Sequence, residues 1–229
     1  MNIIVNGGTR GIGKEVAVLL ANDESNKVVV TGRNEKALDQ LSSDLRNLKT
    51  FQLDLSTFDS QAGKFKEFIY NNLHHVDILI NMAGLLIAKD FSKISSVEAT
   101  LTRETNFIGP ASVIRLMKPL MAEGSHIINI SSMGGFQGST KYRGLSYYSA
   151  SKAALSCLSE CLALEFIESG ISINCLALGA VETEMLEKAF PGFKAPVTAK
   201  KMAEFISDFA LKGHKYINGK VIPVSISNP

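Results

Sequence analysis

The chain has 229 residues, 45% of them hydrophobic, and a formal charge of +2. That length and apolar content support one sizeable core and leave little for a second domain. The near-neutral balance makes no basic field for nucleic acid, no run reaches the ~18 apolar residues of a membrane span, and the N-terminus lacks a signal-peptide pattern, so a soluble cytoplasmic domain is expected.

The chain opens on an apolar strand, Ile3 to Asn6, which runs into Asn6-Gly7-Gly8-Thr9-Arg10-Gly11-Ile12-Gly13 and then a helix over Gly11 to Ala21. Glycines between a strand and a helix let the backbone turn tightly against a pyrophosphate, whose charge the helix N-terminus favours. The spacing is G-x-x-x-G-x-G, and Gly7, Thr9, Arg10, Gly11, Ile12 and Gly13 are the candidate contacts. The second strand, Val28 to Thr31, ends in Thr31-Gly32-Arg33-Asn34. Sites selective for NAD place a carboxylate here for the ribose 2′-hydroxyl. This chain has none. Gly32 leaves room for a 2′-phosphate, Arg33 beside Asn34 can fork onto it, and Arg10 can approach from the glycine loop, so NADP(H) is the expected cofactor.

A helix over Glu35 to Asn47, a strand over Thr50 to Leu53, a helix over Thr57 to Asn72 and a strand over Val76 to Ile80 follow, with His74 and His75 in the turn before that strand. One long helix is predicted over Val97 to Met121. Within it Pro110 has no N–H, so the carbonyl of Asn106 loses its helical partner and is free to hold a water. A strand from His126 to Ser131 closes on the pair Ser131-Ser132. The helix over Ser146 to Ser169 carries Tyr148 and Lys152 one turn apart on one face. At ~5 Å and an effective dielectric of ~20 the ammonium stabilises a phenolate by roughly 3 kcal/mol, or ~2 pKa units. Tyr147 has Ser151 rather than Lys four residues on. Cys157 and Cys161, among Leu155, Leu158 and Leu162, are read as buried free thiols; with Cys175 they form no metal-ligand spacing, and no metal site is expected.

A strand over Ile171 to Ala177, a loose segment from Glu182 to Val197, a helix over Thr198 to Leu211 and a strand over Lys220 to Val224 complete the chain. The alternation specifies an α/β fold: a single Rossmann-type doubly wound domain, with a seven-stranded, mostly parallel sheet and helices on both faces. Ligands in such folds lie beyond the carboxyl ends of the strands, which makes residues 182–197 a candidate substrate lid. The expected substrate pocket draws on Leu85 to Ala88, Gly134 to Leu145 and Met185 to Val197, with Phe136, Leu186, Phe190 and Phe193 indicating an apolar ligand.

These residues resemble the short-chain dehydrogenase/reductase family over nearly the whole chain. The glycine loop is similar to its cofactor motif with Asn6 in place of the usual Thr. The resemblance implies that Asp54, followed by Leu55, contacts adenine. It implies that Asn81-Met82-Ala83-Gly84 is the family's Asn-Asn-Ala-Gly segment, with Asn81, Ala83 and Gly84 beside the cofactor. Leu178-Gly179-Ala180-Val181-Glu182-Thr183 resembles the Pro-Gly-x-x-x-Thr stretch at the nicotinamide, through Gly179, Val181 and Thr183. The implied catalytic set is Asn106, Ser132, Tyr148 and Lys152, with Tyr148 and Lys152 also touching cofactor. The stretch between Ser132 and Tyr148 is a few residues longer than is common, around Thr140 to Gly144, which lengthens a loop at the substrate mouth. The implied activity is NADP(H)-dependent hydride transfer on a small, apolar carbonyl or alcohol, by a homodimer or homotetramer. A 3-oxoacyl-thioester reductase, with Lys188, Lys194, Lys200 and Lys201 toward an acidic carrier, and a non-catalytic NADP(H) sensor are the alternatives.

Overall fold

The structure, a computed structural model, describes residues 1–226, so Ser227, Asn228 and Pro229 of the expected C-terminal tail lie outside it. Seven strands form one sheet: β1 (Asn2–Asn6), β2 (Lys27–Gly32), β3 (Leu48–Gln52), β4 (Ile78–Asn81), β5 (His126–Ser132), β6 (Ser172–Leu178) and, last in the chain, β9 (Val221–Val224). Their order is β3-β2-β1-β4-β5-β6-β9, and every pairing is parallel. Val and Ile dominate these strands because both faces are covered. One face is packed by α1 (Gly11–Ala21), α2 (Glu35–Asp44) and α8 (Ala199–Lys212) around Val5, Val30, Ile80 and Leu176. The other is packed by α3 (Ala62–Leu73), α5 (Gly109–Met117) and α6 (Ser146–Glu165) around Ile4, Val29, Leu79 and Ile127. The order reverses direction between β1 and β4, and that switch point opens the crevice in which the site lies.

At the carboxyl ends of the strands a line of buried amides crosses the sheet. Thr31 donates to Asn6 (2.9 Å), Asn6 to Asn81 (2.7 Å), Asn81 to Asn129 (2.8 Å) and Asn129 to the hydroxyl of Ser159 on α6 (2.9 Å). Asn6, Asn81 and Asn129 occupy paired rungs of the ladder, so each amide meets the next without distortion. The bonds fix β2, β1, β4, β5 and α6 at the level from which the site residues project. Asn6 thus has a specific partner on either side.

Several boundaries differ from the expectation. The predicted helix over 97–121 is α4 (Ser96–Arg103), a π turn (Glu104–Ile108), α5 and a 3-10 turn (Lys118–Leu120). The Gly109 N–H reaches back five residues to the Glu104 carbonyl, so the hydrogen-bond ladder is already shifted where Pro110 enters. The predicted helix at 57–72 divides into a 3-10 turn (Leu55–Ser60) and α3, because Asp54 caps the former and Thr57 departs from helical geometry. Cys157 and Cys161 are exposed rather than buried: α6 turns Leu155, Ser156, Ser159 and Ala163 inward, and both cysteines fall outside that stripe. His126 is buried with partners the sequence did not reveal, Nδ1 against the Ala210 carbonyl (3.1 Å) and Nε2 against the Asn174 amide (3.1 Å). Among the described residues no helix is long and apolar enough to cross a membrane, and no cluster of His, Cys, Asp and Glu is arranged to hold a metal ion.

Candidate active site

One cleft of about 450 Å³ runs along the carboxyl ends of the strands. Ser132 enters it from the end of β5, and Tyr148 and Lys152 from the first turns of α6. Gly134 and Gly135 make this meeting possible, since a Cβ on Gly135 would lie 2.6 Å from the Ala153 nitrogen and one on Gly134 2.9 Å from the Ser149 hydroxyl. The chain after β5 therefore lies flat against α6, with the Ser132 side chain beside Tyr148 and accepting from the Gly134 N–H (3.2 Å). Ser131 points the other way, donating to the Lys152 carbonyl (2.9 Å) and accepting from Ser156 (2.9 Å). Tyr147 stacks on Phe91 at the surface and lines no part of the cleft.

Lys152 is 3% exposed, and its Nζ donates to the Ile130 carbonyl at 2.8 Å. Burial pulls its pKa down to about 8. Burial also raises the Tyr148 pKa above the ordinary phenol value, and the neighbouring Ser132 hydroxyl opposes this without reversing it. The expected lowering by Lys152 is therefore not found, because the ammonium is turned to the Ile130 carbonyl and desolvation of the ring dominates. Tyr148 stands as a protonated phenol next to a serine hydroxyl.

Asn106 lies beneath the cleft and does not line it. Its Oδ1 accepts from the Leu85 N–H (2.7 Å), and its Nδ2 donates to the Leu85 carbonyl (2.8 Å) and to Ser151 (3.0 Å). The side chain thereby ties the segment after β4 to α6, next to Gly84, where a Cβ would sit 3.4 Å from Lys152 Nζ. Thr105, which the sequence reading missed, is 7% exposed, lines the cleft and has a buried hydroxyl with no hydrogen-bond partner among the described residues. Its only sequence signal was its place before Asn106.

The glycine loop faces the same cleft. Gly7 has φ +89° and Gly11 +53°, and a Cβ on Gly7 would lie 2.6 Å from Ala83 backbone atoms, so only glycine brings the loop against the segment after β4. Thr9, Arg10, Ile12, Gly13, Arg33, Asp54, Leu55, Ala83, Gly84, Gly179, Val181 and Thr183 also line it. Two expected contacts do not. Asn34 caps α2 by accepting from the Ala37 N–H (3.2 Å), and Asn81 lies in the amide line below. Gly32 lines the cleft with the Thr9 side chain packed against it, 2.4 Å from where a Cβ would stand. Asp54 is held by Ser56, accepting from its N–H (2.9 Å) and hydroxyl (2.7 Å). Arg10 faces Glu184 at 3.6 Å, whereas Arg33 is exposed at the cleft's edge. The open N-terminus of α1, an ammonium with one acceptor and a hydroxyl without a partner among the described residues fit a dinucleotide with ribose hydroxyls to pair.

At the other end, residues 182–197 contain β7 (Val181–Glu182) at their entry, α7 (Glu184–Ala189) and the start of β8 (Val197–Thr198), which pairs with β7. Met185, Leu186, Phe190 and Phe193 from this segment meet Leu86, Tyr142 and Leu145 across the cleft. Tyr142 belongs to the expected longer loop. Phe136, expected in the pocket, does not line it.

The sequence profile described as short chain dehydrogenase matches residues 1–192. An uncharacterized oxidoreductase of Staphylococcus saprophyticus is 29% identical, the alignment covering 96% of this chain and 95% of that protein. The 3-oxoacyl-acyl-carrier-protein reductase of Aquifex aeolicus is 28% identical over 97% of this chain and 94% of its own length. Among solved structures, a dehydrogenase/reductase from Sinorhizobium meliloti superposes with a TM-score of 0.85 at 24% identity, covering 97% of this chain and 92% of that one. A short chain dehydrogenase from Burkholderia cenocepacia in complex with NADP gives 0.85 at 21%, covering 97% and 95%. Both likenesses show the fold.

Proposed function

The chain belongs to the short-chain dehydrogenase family, and from that premise we propose that it is an NADP(H)-dependent oxidoreductase interconverting a carbonyl and an alcohol. The observation that carries this reading is the convergence of Ser132, Tyr148 and Lys152 on one cleft, with Tyr148 next to Ser132 and protonated. When bound, the nicotinamide supplies or accepts the hydride. The glycine loop holds the pyrophosphate against the N-terminus of α1, and Arg33 pairs with the 2′-phosphate. Lys152 gives its remaining N–H groups to ribose hydroxyls, and Thr105 offers its hydroxyl to the nucleotide. In reduction, Ser132 donates a hydrogen bond to the carbonyl oxygen and Tyr148 transfers its phenolic proton to that oxygen, becoming phenolate. The neighbouring Ser132 hydroxyl favours that charge, and water restores the proton. In the alcohol direction Tyr148 acts as base. Asn106 acts through the backbone it holds, keeping Leu85 and Gly84 against Lys152, with its main chain available to a relay water.

The test follows a label. With NADPH deuterated at the nicotinamide C4 and a reducible ketone, the alcohol should carry one deuterium on its carbinol carbon. Alcohol labelled only from deuterated solvent rejects the reading. Residues 182–197 serve as the substrate lid, and the exposed α6 residues Cys157, Cys161 and Leu164 support self-association. The Aquifex reductase favours a second reading, reduction of a 3-oxoacyl thioester. Lys188 and Lys194 are exposed for a carrier but line no part of the cleft.

A further inference from the structure

Building on the hydride-transfer reading, we propose that the substrate is a neutral, apolar carbonyl compound enclosed beneath an aromatic roof, and that Tyr142 and Phe190 impose this choice. Two segments from opposite sides of the cleft meet above the catalytic end. Tyr142 comes from the lengthened loop before α6 and Phe190 from the end of α7, and their rings touch edge to face with centroids 6.5 Å apart at 65°. Leu86, Leu145, Leu186 and Phe193 complete the walls. The loop is held in place: the Lys89 N–H donates to the Gly144 carbonyl at 3.0 Å, and Arg143 donates to both oxygens of Asp90 at 2.9 and 3.3 Å.

Several cations around this mouth already have partners, and Lys188 and Lys194, exposed on the lid, line no part of the cleft. Arg143 is paired with Asp90, Lys89 with Glu98 at 2.7 Å, and Lys141 donates to the Phe136 carbonyl at 2.6 Å and to Ser139 at 2.8 Å. Arg10 faces Glu184. A carboxylate beneath the roof therefore gives up its hydration where the roof segments put no cation on the cleft wall to meet it. A thioester on a long polar arm has to part the Tyr142–Phe190 contact and hold it open throughout turnover. A compact neutral ketone or aldehyde needs neither. Its oxygen lies against Ser132 and Tyr148, its carbon takes the hydride from NADPH, the Tyr148 proton goes to the oxygen, and NADPH leaves oxidised as NADP⁺ while the carbonyl leaves as alcohol.

The experiment compares NADPH oxidation with 4-phenylbutan-2-one, its para-carboxylate and acetoacetyl-coenzyme A, in the wild-type chain and in Tyr142→Ala and Phe190→Ala, with thermal unfolding of each variant measured alongside. Calorimetry of NADP⁺-loaded wild type with 4-phenylbutan-2-one and its para-carboxylate, a pairing in which neither partner can give up a hydride, gives a readout independent of turnover. The expected result is kcat/KM for the neutral ketone about 100-fold above both charged probes, tighter calorimetric binding of the neutral ketone than of its carboxylate, and a ratio falling below about 10-fold in folded variants as water and cations gain access. Equal kcat/KM for the carboxylate or the thioester overturns the substrate class and leaves hydride transfer standing. An unchanged ratio in both folded variants overturns the role of the roof. Oxidation with none of the three probes, together with no label transfer to any ketone, overturns the underlying reading as well.

Discussion

Lys152 is held in the fold at a cost to stability, and replacing it should show this. Its ammonium is 3% exposed, and burial moves its pKa from 10.5 to about 8. At 1.36 kcal/mol per unit, the 2.5-unit difference corresponds to about 3 kcal/mol of preference for the unfolded chain while the group is charged in both states. Because the folded pKa is the lower one, the penalty is fully present below pH 8 and is relieved as pH rises from 8 to 10.5, where the native chain has released a proton the unfolded chain keeps. Lys152→Met keeps most of the volume and removes the charge, but it also loses the hydrogen bond to the Ile130 carbonyl, worth about 1 kcal/mol. The net gain at pH 7 is about 2 kcal/mol, which for a domain of this size raises Tm by roughly 4–8 °C. Urea unfolding at pH 7 and pH 10, with activity measured beside it, should find a variant that is more stable, loses most of its advantage at the higher pH, and is nearly inactive. A variant no more stable than wild type at pH 7, or one whose advantage does not shrink with pH, refutes the reasoning.

His126, buried with a pKa near 4, should make the fold acid-sensitive: stability is full above pH 6.5 and falls by about 3 kcal/mol by pH 4, as the unfolded imidazole takes a proton that the native one refuses. Proton NMR of the imidazole should show it still neutral at pH 5; a midpoint near 6.5 is the contrary outcome. Arg33→Ala should weaken NADPH binding ~10–100-fold and NADH binding less than 3-fold, as expected for loss of a charge-assisted pair to the 2′-phosphate. Equal weakening of both cofactors would remove Arg33 from cofactor selection.

The sheet was legible because Val- and Ile-rich runs recur between helical patterns, and parallel strands buried on both faces carry no other signal as clear. The glycine loop was legible because only glycine permits Gly7 to approach Ala83 so closely. The Tyr148–Lys152 spacing placed both side chains in one cleft, but the direction of the tyrosine shift was misjudged: sequence gives proximity, not which acceptor an ammonium turns to, and here it turns to Ile130. Gly32 and Asn34 illustrate the same limit. Their surroundings, the Thr9 side chain and the start of α2, depend on tertiary packing and capping that a local reading does not weigh. The exposed cysteines show the same limit, since leucines at neighbouring positions do not reveal which side of α6 meets the sheet. Pro110 did mark a disturbed helix, but the π turn begins at Glu104 and shifts the ladder before the proline is reached.

Tyr148→Phe tests the chemistry most directly, because it removes one oxygen and keeps the ring that lines the cleft. With the protein saturated in NADPH, fluorescence titration should give an affinity within about 2-fold of wild type, while single-turnover reduction of a ketone falls by ~10³-fold or more. Retention of turnover within about tenfold of wild type would show that the proton comes from another group.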